Sequence, residues 1–205
     1  TLFDFAALER RKKDIAIGQE VTKLAADAEL AIGSGDAALR LTERDPEKYR
    51  TQYETMVQEV AQNIGKGATY PESSAALSAK LAPALARHRV DAYKHSNSLY
   101  VSRGTAQLDS TLDTRKTLAG IASDDADFEA QVRQGMQAID AAEPLIGPDK
   151  AGDMRRKFRE DALGARALRE ANTQPETFGA TADVRYAMLD AKKREELKET
   201  AKNKA

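Results

Sequence analysis

The sequence predicts an all-α protein: elongated, stacked helical hairpins built from long amphipathic helices, with no sheet. Three observations carry that expectation. Charged residues make up 32 % of the 205-residue chain and aromatics 5 %, with no tryptophan, a profile of long helices packed through narrow apolar stripes rather than around a thick core. Apolar residues recur at steps of three and four, and no segment sustains the two-residue alternation of a half-buried strand. Glycine- and proline-rich breaks separate the periodic segments.

The first helix is expected from about Leu2 to Ile32, where Ile17, Val21, Leu24, Ala28 and Ala31 form one seam at 4-3-4-3 spacing. Gly33 and Gly35 are expected to end it, with Asp36 capping a short helix through "AALRLTE". Asp45 followed by Pro46 is a helix start, a carboxylate cap before proline at the first helical position. Tyr49, Tyr53, Met56, Val57, Val60 and Ile64 then share one face, and "GKGATYP" breaks the helix.

The longest helix is expected over residues 72–122, roughly 75 Å if continuous. Ser73 or Ser74 should cap it, Glu72 suits its positive end, and Pro83 should kink it. Its seam runs Leu81, Leu85, His88, Ala92, His95 and Leu99, continuing to Ser102 and Ala106. Leu108, Leu112, Leu118 and Ile121 then shift phase, as a stutter would. This seam is the candidate helix–helix or subunit contact.

A second copy of the hairpin begins at Ser123. Aligning Asp45 with Asp124 sets Tyr49 on Phe128, Tyr53 on Val132, Val57 on Met136 and Val60 on Ile139, so the chain repeats a helix, a Gly/Pro loop and a longer helix. "EPLIGPDK" is expected as the second loop, with a helix from about Ala151 to Glu170 after it. Pro175 to Phe178 reads as a single turn, "ADVRYAML" as a short helix, and Asp190 as the cap of a last helix. The organisation is therefore residues 1–35 as an N-terminal helix, 36–122 as a first hairpin, 123–171 as a second, and 172–205 as a small C-terminal module. The chain is expected to be part of a longer polypeptide.

Chemistry is sparse. The chain has no cysteine, so thiolate metal sites, disulfides and thiol nucleophiles are excluded. No apolar run reaches membrane-spanning length. The net charge of −1 arises from 32 basic and 33 acidic residues, well mixed, which argues against a nucleic-acid-binding domain. His88 and His95 stand two turns apart, about 10 Å, too far to share one ion within a helix, and are read as polar or pH-sensitive contacts. "GSGDAA" lacks the third glycine of a dinucleotide loop and follows a helix. The clusters "RRKK" (Arg10–Lys13) and "MRRKFRE" (Met154–Glu160) are flanked by acidic residues and read as solvated faces first, with contact to DNA or lipid phosphates as the alternative. The Glu72–Ser73 pair resembles the catalytic glutamate segment of lytic transglycosylases, but the downstream glycine-rich segments are missing. No enzyme and no cofactor are expected.

The repeated capped hairpins, and the terminal pattern Asp183, Arg185, Tyr186, Leu189, Asp190, Arg194, Leu197, resemble the internal virion or DNA-ejection proteins of tailed, especially short-tailed, bacteriophages. The resemblance covers roughly residues 36–205. It implies a protein packed in the virion interior and expelled into the host cell envelope, forming a homo-oligomeric ring or tube with other ejection proteins. Host membrane contact and DNA as passing cargo follow from the same resemblance. The alternative expectation is a cellular helical adaptor that binds a partner through one seam.

Overall fold

The protein is all-α. Its computed structural model describes residues 2–205, with side chains from Phe5 onward, and among the described residues there are seven helices and no strand. They are α1 (Leu2–Thr42), α2 (Pro46–Lys66), α3 (Pro71–Gly120), α4 (Asp125–Ile146), α5 (Pro148–Thr173), α6 (Pro175–Arg185) and α7 (Ala191–Lys202). The chain divides into two compact units, Thr1–Tyr100 and Val101–Ala205, and the division falls inside α3.

In the first unit, α1, α2 and the first half of α3 share two apolar clusters. Ala25, Ala28, Leu77 and Leu81 form one, with Leu85 against it. Ile32, Tyr49, Tyr53, Val57 and Ala92 form the other, with Leu85 and Leu99 against it. The Asp45 carboxylate accepts from the backbone N–H groups of Glu47 and Lys48, both at 3.0 Å, so the Asp-Pro start works as the sequence predicts.

Helix α1 corrects the expected break at Gly33. It continues through Gly33 and Gly35 to Thr42 and absorbs the separate helix expected after Asp36. Each interior glycine costs about 1 kcal/mol relative to alanine, yet packing on both sides outweighs that. Ile32 and Asp36 are buried, and Met56 lies against Gly35 at 3.0 Å from where a Cβ would stand. The seam also corrects by one residue, since Ile32 is buried and Ala31 is exposed.

Residues Leu108, Leu112 and Ala119 of α3 join α4 and α5 in the second unit, with Ile139, Ala151, Phe158, Phe128 and Val132. The stripe shifts phase between Leu99 and Leu108 as the sequence predicts, but the first seam does not reach the exposed Ser102 and Ala106, and Ile121, expected on the shifted stripe, is exposed while Ala119 is buried. The expected "EPLIGPDK" loop shrinks to one residue: α4 runs through Pro144 to Ile146, Gly147 turns the chain at φ 85°, and α5 starts at Pro148. A left-handed φ is open to glycine without a Cβ clash. Residues 175–185 form one helix rather than a turn and a short helix.

Candidate functional site

The predicted seam on α3 lies against α1 and α2 of its own chain. Leu81 and Ala92 are buried, Leu85 and Leu99 are half-buried against the two clusters, and His88 and His95 are half-buried. The polar centre of this contact is built from three segments. The Asp36 carboxylate on α1 accepts from the Tyr49 hydroxyl on α2. Arg40, one turn further along α1, donates its Nε to the same carboxylate at 3.0 Å and brings a second guanidinium nitrogen to 2.8 Å. The His95 ring of α3 meets the Tyr49 ring edge-on, with centroids 4.8 Å apart, and the Ser96 hydroxyl donates to the Pro46 carbonyl at 2.9 Å.

Burial shifts the titrating rings of this contact. It holds the His95 imidazole below its ordinary pKa, with the Arg40 charge adding to the effect. Burial, then the Asp36 carboxylate, pushes the Tyr49 phenol up, and burial pushes Tyr53 up to about 12. The Tyr53 hydroxyl and His95 Nε2 are buried without a hydrogen-bond partner among the described residues.

A second polar centre corrects the expected serine cap of the long helix. Glu20 on α1 accepts from the backbone N–H of Thr69 at 2.6 Å and from that of Tyr70 at 3.4 Å, and also takes the Ser73 hydroxyl. A carboxylate from another helix therefore ties down the segment that enters α3, and the Ser73 hydroxyl, in the first turn, donates to that carboxylate instead of serving as a cap acceptor. These bonds, Ser73 first, hold Glu20 down to about 2. Glu72 pairs with Lys13 at 2.7 Å. Sequence spacing gives no sign of the Glu20 clamp, because its partners lie some 50 positions further on.

In the second unit, the buried Arg166 of α5 stacks on Phe128 at 4.9 Å and pairs with Asp125 at 2.6 Å and Glu170 at 3.2 Å. Arg185 of α6 joins the same two carboxylates. Together Arg166 and Arg185 hold Asp125 below the usual carboxylate range. The terminal pattern singled out in the sequence has a structural task at every position. Asp183 pairs with Lys198 and Arg185 with Asp125. Tyr186, Leu189 and Leu197 are buried in one cluster. Asp190 accepts from the N–H groups of Lys192 and Lys193, and Arg194 donates to the carbonyls of Ala187 and Leu189.

Among the described residues, two surfaces stand out for a ligand or partner. A cleft of about 460 Å³ between α3 and α5 has Leu112 and Met154 in its floor, with Asp109, Asp161, Lys150 and Lys157 at its rim, so it presents mixed charge. Along α1, Phe5, Leu8, Ile15, Leu30 and Leu41 are all at least half exposed. Among the described residues, no group of three or more potential ligands is placed to hold a metal ion, and no helix is long and apolar enough to cross a membrane. No protein family matches the chain, and comparisons with curated proteins and with solved structures likewise return no match.

Proposed function

We propose that this chain is a non-catalytic structural component of a phage DNA-ejection apparatus. It works by associating with copies of itself and with other ejection proteins into a ring or tube. DNA passes through as cargo, contact with the host membrane belongs to the same reading, and no cofactor is involved. The protein would be stored in the virion interior and act in the host envelope after expulsion.

The observation that carries self-association is that α1 has two apolar faces. One packs on α2 and α3, and the other is exposed as two groups, Phe5, Leu8 and Ile15 toward the start and Leu30 and Leu41 toward the end. Exposed apolar area of this extent marks an interaction surface. The phage assignment is supported by the resemblance of the repeated hairpins and of the Asp183–Leu197 pattern. A second reading, a cellular adaptor, is favoured by the apolar-floored cleft between α3 and α5, which is shaped to take a partner segment.

Mass spectrometry of purified phage particles, before and after triggered ejection, separates the two. The ejection reading expects the chain inside intact particles and its depletion from emptied ones. Absence from particles overturns it and leaves the adaptor.

A further inference from the structure

We propose that the outer face of α1 is the surface on which two copies of this chain dock, side by side and antiparallel; this rests on the self-association reading above and specifies one two-fold contact of the assembly, a closed pair that a different contact extends into a ring or tube. Every residue from Phe5 to Ile15 is exposed, and the Lys13–Glu72 ion pair is a tie at the edge of this segment. A helical stretch of about three turns without a packed face is marginal in water, and this one carries Phe5, Leu8 and Ile15, exposed by 67 %, 50 % and 62 %. The other end of α1 is the converse. Residues 28, 32 and 36 anchor it in the core of the first unit, while Leu30 and Leu41 face outward, 71 % and 77 % exposed. Between and beside them stand the small residues Ala26, Gly33 and Ala37. Among the described residues, nothing lies within 4 Å of where a Cβ at Gly33 would stand.

The two ends complement each other. Large side chains on an unsupported segment meet small residues and leucines on a supported one, over equal lengths of helix. A two-fold pairing places Phe5 by Leu41, Leu8 by Ala37, Lys12 by Gly33, Ile15 by Leu30 and Gln19 by Ala26 of the other copy. Each free segment then rests on the anchored segment of its partner.

A parallel pairing does the opposite. It sets free segment on free segment and the basic run Arg10–Lys13 on itself, a like-charge contact. In the antiparallel pairing that run lies beside the uncharged Ile32–Gly35 stretch of the partner, with the carboxylates Asp27 and Glu29 within two turns. The area suffices only if the whole helix takes part. A face from Phe5 to Leu41 is about 55 Å long and about 10 Å wide, so two copies cover roughly 1,100 Å². That just clears the roughly 1,000 Å² expected of a specific interface, and a short peptide helix would cover a fraction of it. A second copy supplies the required length.

The absence of cysteine allows a clean test on the whole chain. Ile15→Cys and Leu30→Cys proteins, mixed and mildly oxidised, should yield a covalent dimer at least ten-fold more readily than either protein alone. Leu30→Glu should raise the dissociation constant at least ten-fold by sedimentation, with helicity unchanged by circular dichroism, because Leu30 sits on the exposed face. If Ile15→Cys alone cross-links as well as the mixture does, the antiparallel pairing is wrong. If Leu30→Glu self-associates like the parent, the α1 face is wrong while self-association stands. A parent chain that stays at 22.4 kDa at every concentration overturns both.

Discussion

Replacing Gly135 by alanine puts the packing of the second unit under direct test. In the middle of α4, a Cβ at this position would lie 2.2 Å from both Cε1 and Cζ of Phe158 and 3.1 Å from Cδ1. Ordinary contact needs about 3.4 Å or more, so the ring would have to retreat by more than 1 Å. It has nowhere to go, since Phe158 packs on Leu108, Ile139 and Ala151, and the last two are fully buried. Overpacking of this kind costs typically 1–3 kcal/mol, and contacts as short as these belong at the upper end. Against it stands the gain of about 1 kcal/mol when a helix-interior glycine becomes alanine. The net expectation is a loss of about 2 kcal/mol, or roughly 8 °C in Tm for a unit of this size. Urea unfolding followed by circular dichroism reads it as a lower midpoint at unchanged slope. Adding Phe158→Leu should recover part of the loss, a coupling that distant residues do not show. If Gly135→Ala instead stabilises the protein by about 1 kcal/mol, as an unpacked helical glycine would, then Phe158 does not pack where it is described.

Three further outcomes follow from the first unit. Gly33→Ala should stabilise by about 0.5–1 kcal/mol in the same urea assay, because the position is helical with open space around it; destabilisation would mean that α1 ends there. Glu20 is held down to about 2, so its contribution is complete above about pH 4.5 and fades as pH falls toward 2. Unfolding midpoints measured across that range should drop for the parent protein and drop less for Glu20→Gln, and equal slopes would remove the clamp. His95 has the opposite charge logic: its folded pKa lies below 6.5, so the unfolded chain takes up the proton first and stability declines as pH falls below about 6.5. The groups facing it are Asp36, Arg40 and Arg44 from α1 and the loop after it, and Tyr49 from α2. A His95→Leu protein should lose this part of the pH dependence, and an unchanged profile would show that His95 does not cause it.

What could be read from the sequence was set by chemistry that is local in the chain. The carboxylate caps at Asp45 and Asp190 each act within three residues, and both accept backbone N–H bonds in the structure. The paired hairpins were legible because Tyr49 and Phe128, like Tyr53 and Val132, occupy matching buried positions on helical spacing. The failures have a different character. Gly33 and Gly35 carry the local signature of a helix end, and tertiary contacts from Ile32, Asp36 and Met56 override it. Ser73 is a residue type that caps helices, yet its hydroxyl donates to Glu20 on another helix, whose carboxylate also takes the N–H groups just before α3. The outer stripe of α1 was missed for a third reason. Apolar residues on both sides of a helix blur its amphipathic signal, and only the packed core shows which stripe is left over.

The light-scattering mass of the purified chain across concentration, with and without liposomes, tests the central claim that this protein works by associating with itself through helical faces. A defined multiple of 22.4 kDa, or lipid-triggered growth toward one, is the expected result. A monomer indifferent to both concentration and lipid would contradict it.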